Sequence, residues 1–371
     1  MTDMNFKPSP LMLLGIGGAG GTIATNVARS YGGAMRMLVL DTDARSTTVA
    51  NESALVLLGA NRLSGHGAGG NVNDARMAVR DELASGVLNE RMAGVRTAVV
   101  VAGLGGGTGG GVAVETIQHL RRNGITTLLF ATMPFSFEGE ACRKRATSVR
   151  PILEAEADIS VFIELDKLVA SLATDNMSEA FRPGTETLSA GITLLWRLLE
   201  KPGYIKLDPE RLRKLMLDGG PARFATATAS GERRDEKIVA ALKASPLLNS
   251  TSSAHTRAMI VGVLAGDDLR LSEVGFIANE LQFNFAANAE LSLGTVNDEA
   301  SFGGKIVAVV LLFGEGSRSA AKRDAGTARF HGGITNGPQG RGRFHNSEKT
   351  TWNGMDLDIP TYVRQNITLD R

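Results

Sequence analysis

Residues 98–120, AVVVAGLGGGTGGGVAVETIQHL, hold seven glycines in the nine positions 103–111, interrupted only by Leu104 and Thr108. Glycine loses more backbone freedom on folding than any other residue, so such a run is either a linker or a place where backbone must approach something closely. The flanks decide between the two. Ala98-Val99-Val100-Val101-Ala102 is an unbroken apolar run, the pattern of a strand covered on both faces. Val112, Val114, Ile117 and Leu120 recur at helical spacing, and Arg121, Arg122 and Gly124 supply a basic last turn and a stop. A linker joins domains, whereas this loop joins a buried strand to a helix. Strand, glycine loop and helix N-terminus together present bare N–H groups and the positive end of a helix, which suits phosphate.

The same alternation runs through the first half of the chain. Strands are expected at Leu11–Leu14, Met37–Leu40, Ala54–Leu58, Ala98–Ala102, Thr126–Ala131 and Ser160–Glu164, at intervals that fit helical crossovers. This predicts a mostly parallel sheet with helices on both faces, whose ligands bind beyond the carboxyl ends of the strands. Segments 15–21, 41–45, 65–71, 103–111 and 134–143 all follow strands, so one rim of one sheet is expected to carry them. A long helix over Ser178–Glu200 sets Leu188, Ile192, Leu195 and Leu199 on one face and ends at Pro202-Gly203. Beyond it, strands at Arg223–Thr228, Ala258–Leu264, Leu291–Val296 and Lys305–Phe313, with helices near 232–243 and 272–281, predict a second α/β domain hung on that helix. Residues 316–350 carry seven Lys or Arg against two Asp or Glu among Gly, Ser and Ala, the composition of a disordered basic linker. Apolar residues return in MDLDIPTYVRQN (355–366), as in a docking peptide.

Composition narrows the function classes. A net charge of +1 gives no general attraction to nucleic acid or membrane. Cys142 is the only cysteine, which excludes an intrachain disulfide. The opening MTDMNFKPSP has no apolar signal core and no 18-residue apolar span occurs, so a cytoplasmic protein is expected.

Two readings of the rim stay open at this point. Gly15-x-Gly17-x-x-Gly20, with Asp41 closing the second strand, matches the dinucleotide fingerprint of an NAD-dependent oxidoreductase. Three glycine loops (15–21, 65–70 and 103–111) suit a longer chain of phosphates. No G-x-x-x-x-G-K-[ST] is present, so a nucleoside triphosphate would be held by backbone amides.

GGGTGGG at 105–111 resembles the glycine box of the tubulin/FtsZ superfamily, and GAGGN at 67–71 its GAGAN loop. PFSFEG at 134–139 is similar to PFxFEG, and ATASGERR (227–234) with SPLL (245–248) resembles the same run in the second domain of that family. LDIPTYVR at 357–364 is similar to the tail peptide by which the FtsZ branch docks on membrane adaptors. The resemblance implies a GTP-binding domain over 8–177, a central helix over 178–202, a smaller α/β domain over 203–315, a disordered linker over 316–354 and a docking tail over 355–371. It implies a filament-forming GTPase of cell division, polymerised head-to-tail, with GTP or GDP and Mg²⁺ as cofactors. Membrane-adaptor division proteins would be partners, with no specific nucleic acid, and the place of action would be the division site on the inner face of the membrane.

By the same resemblance, Gly105, Gly106, Gly107, Gly109 and Gly110 wrap the α- and β-phosphates, with Gly107 where backbone meets phosphate. Thr108 adds a hydroxyl toward phosphate or Mg²⁺, or serves as a helix N-cap. Ala68 and Gly69 reach the γ-phosphate, Gly17, Gly18 and Gly21 the other flank, and Glu138 the ribose; Phe181 stacks on the base and Glu186 pairs with guanine. Thr22 and Leu165 stand where the family has base-reading asparagines, and Cys142, next to Arg143, where it has arginine, which loosens guanine specificity. In YIKLDPERL (204–212), Asp208 is kept but Arg211 replaces the second acid of the loop that activates water in the neighbouring subunit. Arginine cannot act as a base, and Glu210, one residue away, points elsewhere, so slow hydrolysis is expected. A GTP-binding filament subunit with little or no hydrolysis is the alternative.

Overall fold

The computed structural model describes residues 10–45, 54–170, 177–200, 203–207, 212, 214–216, 219–248, 256–314, 351–352 and 355–356, with the side chains of 169–184 and of the last two stretches left out. Ten strands form one sheet: β1 (Leu11–Ile16), β2 (Met37–Asp41), β3 (Leu55–Leu57), β4 (Thr97–Gly103), β5 (Thr126–Met133), β6 (Ile159–Glu164), β7 (Gly220–Ser230), β8 (Thr256–Ala265), β9 (Glu290–Asn297) and β10 (Lys305–Gly314). The order is β3-β2-β1-β4-β5-β6-β7-β10-β8-β9. The first six are parallel, with β4 at the centre between β1 and β5, as its continuous apolar run requires. Beyond them, β10 runs antiparallel to both β7 and β8, and β8 is parallel to β9.

Helices cover both faces: α1 (Gly17–Tyr31), α2 (Ala60–Leu63), α3 (Val72–Ser85), α4 (Val87–Arg91), α5 (Gly107–Arg122), α6 (Glu140–Glu156), α7 (Leu165–Ala170), α8 (Met177–Glu200), α9 (Arg234–Ala244), α10 (Leu271–Phe285) and α11 (Glu299–Phe302). Val112, Val114, Ile117 and Leu120 of α5 are buried with α3, α6 and one face of the parallel strands. The opposite face packs on α1 and α8 through Ile23, Val27, Leu188, Ile192, Leu195 and Trp196. That second cluster continues into Phe224, Ile260, Val296 and Val309 of the antiparallel part.

The second half is therefore joined to the first by more than the long helix. Strands β6 and β7 pair in parallel over Ile159↔Gly220, Ser160↔Pro221 and Val161↔Ala222, making the sheet continuous. At the far end of α8, Arg197 Nη1 donates to Asp298 Oδ2 (2.7 Å) and Ser301 Oγ (3.2 Å), while its guanidinium lies over the rings of Tyr31 and Phe302. Burial and a hydrogen bond to Glu200 push the Tyr31 hydroxyl up to about 12. Among the described residues, no helix is long and apolar enough to cross a membrane. Residues 323–371 form a separate unit, in which a two-stranded antiparallel pair, β11 (Thr351–Trp352) and β12 (Met355–Asp356), is described.

Candidate functional site

The carboxyl ends of β1, β2, β4 and β5 open onto a cavity of about 780 Å³. Its walls are the expected segments: Gly17 and Gly18 after β1, Asp41 at the end of β2 and Asp43 beyond it, 66–70, 103–109 from the end of β4 onward, and Pro134, Phe135 and Glu138 after β5. The sheet order through β6 is 3-2-1-4-5-6, the order of dinucleotide-binding folds, so topology places the ligand on this rim without choosing its kind.

Two helix N-termini, α1 at Gly17 and α5 at Gly107, reach the cavity with no side-chain cap and no acid in the first turn. By contrast α3 is capped by Asn71, whose Oδ1 accepts from the N–H groups of Asn73 and Asp74. The first N–H groups of a helix lack partners within it, so α1 and α5 offer uncompensated donors and positive potential to an anion.

The glycines around this rim do different jobs. A Cβ on Gly20 would strike the backbone of Val101, so Gly20 lets α1 lie against β4. A Cβ on Gly107 would stand 2.7 Å from Asn71 N and 2.8 Å from Gly70 C, so this residue joins two loops, and the expectation that its bare Cα chiefly makes room for phosphate is corrected. Gly110 faces Val149 and Gly21 faces Val39, and neither lines the cavity. Gly105 sits against Pro134, Glu138 and Cys142. Gly106 has open space where its Cβ would be, and its φ of −93° suits any residue. Gly69 is also open but has φ +54°.

Eleven of the expected nucleotide-site residues line the cavity, and Cys142 is not among them. Thr22, Ala68, Thr108 and Glu138 line it together with Gly17, Gly18, Gly69, Gly105, Gly106, Gly107 and Gly109. Thr108 is the second residue of α5 and not its N-cap, which is Gly106; its hydroxyl shares a 2.6 Å hydrogen bond with that of Thr42. The Thr22 hydroxyl donates back to Gly18 O (2.9 Å). Glu138 Oε1 accepts from Phe135 N (2.8 Å), which fixes the tight turn, while Oε2 lies 3.3 Å from the Cβ position of Gly105. Phe137, stacked on Phe135 at 4.9 Å, stays 59% exposed beside the rim.

Glu186 is exposed and does not line the cavity. Its neighbours Thr185 and Leu188 do, and a step of one residue along a helix turns a side chain about 100° away. Arg143 also faces solvent. Arg145, two residues further on, reaches the loop instead: its Nε donates to Gly105 O (2.9 Å) and its Nη2 to Cys142 Sγ (3.1 Å). Leu165 forms an apolar wall. Asp166 accepts from Ser136 N (3.0 Å) and so ties the 134–138 turn to α7. The side chain of Phe181 lies outside the described residues, as do Asp208, Glu210, Arg211, Leu357, Ile359, Pro360 and Tyr362.

Residues not singled out as ligand contacts complete the wall: Asp43, His66 and Thr132. Asp41 is 3% exposed, and its Oδ1 accepts from the N–H groups of Thr42 (2.7 Å) and Asp43 (3.2 Å), so it turns the chain after β2. Hydrogen bonds from Arg45 hold the Asp43 carboxyl below its ordinary range. Behind the site, the buried Glu115 of α5 accepts from Arg76 Nε and Arg80 Nη2 of α3, both at 2.8 Å. Burial pushes the Glu115 carboxyl up, and the two guanidinium groups outweigh it and hold the carboxyl below its ordinary range.

Comparison with known proteins is consistent across both halves. Residues 10–173 match the tubulin/FtsZ family GTPase domain, and residues 220–314 the FtsZ family C-terminal domain. The chain is 30% identical over 302 residues to the cell division protein FtsZ of Bartonella bacilliformis, covering 81% of this chain and 50% of that one. With the Pseudomonas aeruginosa cell division protein FtsZ it shares 27% identity over 367 residues, covering 98% and 91%. The chain thus spans about half the length of the Bartonella relative and most of the Pseudomonas one. An empty FtsZ dimer from M. jannaschii shares the fold with a TM-score of 0.78 and 24% identity, covering 85% of this chain and 90% of that one. A GTPγS-bound CetZ2 protofilament from Haloferax volcanii does so with a TM-score of 0.66 and 20% identity, covering 85% and 97%.

Proposed function

Because the chain belongs to the tubulin/FtsZ family, we propose that it is a GTP-binding protein of FtsZ type that assembles head-to-tail into filaments during cell division. The observation that supports this most is the cavity walled by three glycine loops, with two uncapped helix N-termini and no charged cap competing for them. Backbone amides around Gly106 and the start of α5 bind phosphate, those of Gly17 and Gly18 flank it, and Glu138 at the mouth accepts from ribose hydroxyls. Guanine specificity rests on Glu186 only if α8 turns or the ligand lies beyond the present wall, so the base preference is loose.

Mg²⁺ fits the donor chemistry. Thr108, Asp41 and Asp43 bring hard oxygens to the cavity, yet among the described residues no three His, Cys, Asp or Glu side chains form a metal cage. An ion that keeps its waters and leans on substrate phosphates suits such a site. Bound there, it would supply charge neutralisation of the phosphates.

Non-closing head-to-tail contacts give open filaments. In the proposed filament Asp208, Glu210 and Arg211 serve the next subunit's site, so hydrolysis follows assembly. Arg211 in place of an acid pairs with the phosphate before reaction, which stabilises bound GTP without lowering the barrier. Loss of a positioned base typically costs about 10²–10⁴-fold. Filaments are therefore long-lived. Light scattering with simultaneous phosphate release tests this: GTP should drive assembly with slow release, and Arg211→Asp should speed release and shorten filament life. A chain that fails to assemble with GTP, or whose turnover equals that of the Arg211→Asp variant, contradicts the reading.

A further inference from the structure

Three carboxylates, Asp41, Asp43 and Glu138, line the cavity, and among the described residues lining it there is no lysine or arginine. A polyphosphate entering this space therefore meets carboxylates and backbone amides, and two described arginines, Arg45 and Arg145, are bonded to residues of its wall. Arg45 is exposed and held by Asp43, with Nη2 3.2 Å from Oδ2. Arg145 differs. Its described hydrogen bonds go to a carbonyl, Gly105 O, and a thiol, Cys142 Sγ, and neither neutralises it.

Arg145 also touches both phosphate-side loops. Nε is bonded to the 103–107 loop, and Nη1 lies 3.3 Å from the Cβ position of Gly70 in the 65–71 loop. Those loops meet each other at Gly107 against Gly70 and Asn71. The guanidinium is thus planted at the seam between them, half-buried, with one fixed fork of donors.

We propose that Arg145 is a positioning residue whose unneutralised charge makes the cavity favour the more highly charged of two guanine nucleotides. This rests on the GTP-binding reading above. A γ-phosphate adds about one negative charge, and attraction to one half-exposed cation is worth on the order of a fivefold preference. The uncharged part of the contact, the bond to Gly105 O, serves both nucleotides alike.

The test uses the full-length protein in EDTA and displacement of a fluorescent guanine nucleotide by GTP and by GDP. Arg145→Met should weaken GTP about fivefold more than GDP, whereas Arg145→Lys should weaken both and keep the wild-type ratio. In the wild type, that ratio should fall as potassium chloride rises, because salt screens a half-exposed charge. A ratio unchanged in Arg145→Met, a lysine variant that behaves like methionine, or a wild-type ratio flat in salt each overturns the proposal. The salt series keeps it decidable should Arg145→Met not fold. A wild-type protein that binds no guanine nucleotide would instead remove the function on which the proposal rests.

Discussion

At Gly106 and Gly107, neighbouring residues of identical type carry opposite constraints. A side chain at Gly107 must displace the backbone of Gly70 and Asn71, a crowding that costs about 1–3 kcal/mol of fold stability. A side chain at Gly106 meets nothing within 4 Å, and Gly106 lines the cavity proposed to hold the phosphates. Gly106→Val should therefore leave the melting temperature of the nucleotide-free protein unchanged and abolish nucleotide binding, while Gly107→Val should lower both. Equal melting losses in the two variants would mean that the cavity at Gly106 is already occupied by protein. The glycine count was legible in the sequence, but the division of labour was not, because it depends on which loop lies across which, a matter of tertiary approach. Glu186 shows the same limit: its residue type was suggestive, and only the helical phase set by the buried Leu188 turned it away from the wall.

Helix α5 cannot shift without α3, because Glu115 holds Arg76 and Arg80 together across the two. Removing a buried ion-pair partner typically costs about 3–5 kcal/mol; with Arg80 half exposed, Glu115→Ala should cost roughly 2 kcal/mol, read by denaturant unfolding. The sign with pH follows from the lowered carboxyl. The contribution is complete above the ordinary carboxylate pKa of about 4.3 and is lost as pH falls through the lower folded value, so the wild type should lose this increment in acid while the variant has none to lose. A variant with the same acid profile as the wild type would assign the effect to other groups. At this scale the sequence performed well where periodicity was strong: the six parallel strands and α8 fall within a few residues of their expected places. It missed the start of β7 at Gly220-Pro221-Ala222, where pairing with β6 and not an apolar pattern makes the strand. The one-turn helix Ala60–Leu63 and the five-residue helix Val87–Arg91 have too few residues to show a period.

For the molecule as a whole, the proposed function separates assembly from recruitment along the chain: the sheet and its cavity lie within residues 10–314, and LDIPTYVR follows the basic stretch. Deleting 350–371 should leave GTP-driven assembly in the test tube within about twofold of the wild type, as terminal segments often tolerate removal, and remove recruitment to adaptor-bearing vesicles by co-sedimentation. Loss of assembly in the truncated protein would place part of the subunit contact in the tail. The second α/β domain expected on the long helix matches the FtsZ family C-terminal domain, and the pairing of β6 with β7 that links it to the first was not legible because strands so far apart in sequence leave no local trace. The continuous sheet has a mechanical consequence. Its two halves are stitched by three backbone pairs at β6–β7, against nine at β7–β10 and seven at β4–β5. A subunit pulled from its two ends would load that narrow stitch together with the Phe130–Phe224 contact, the core shared with α8 and the Arg197–Asp298 tie. In a single-molecule pulling trace the first rip should therefore open the β6–β7 seam, and a first rip inside either half would overturn this.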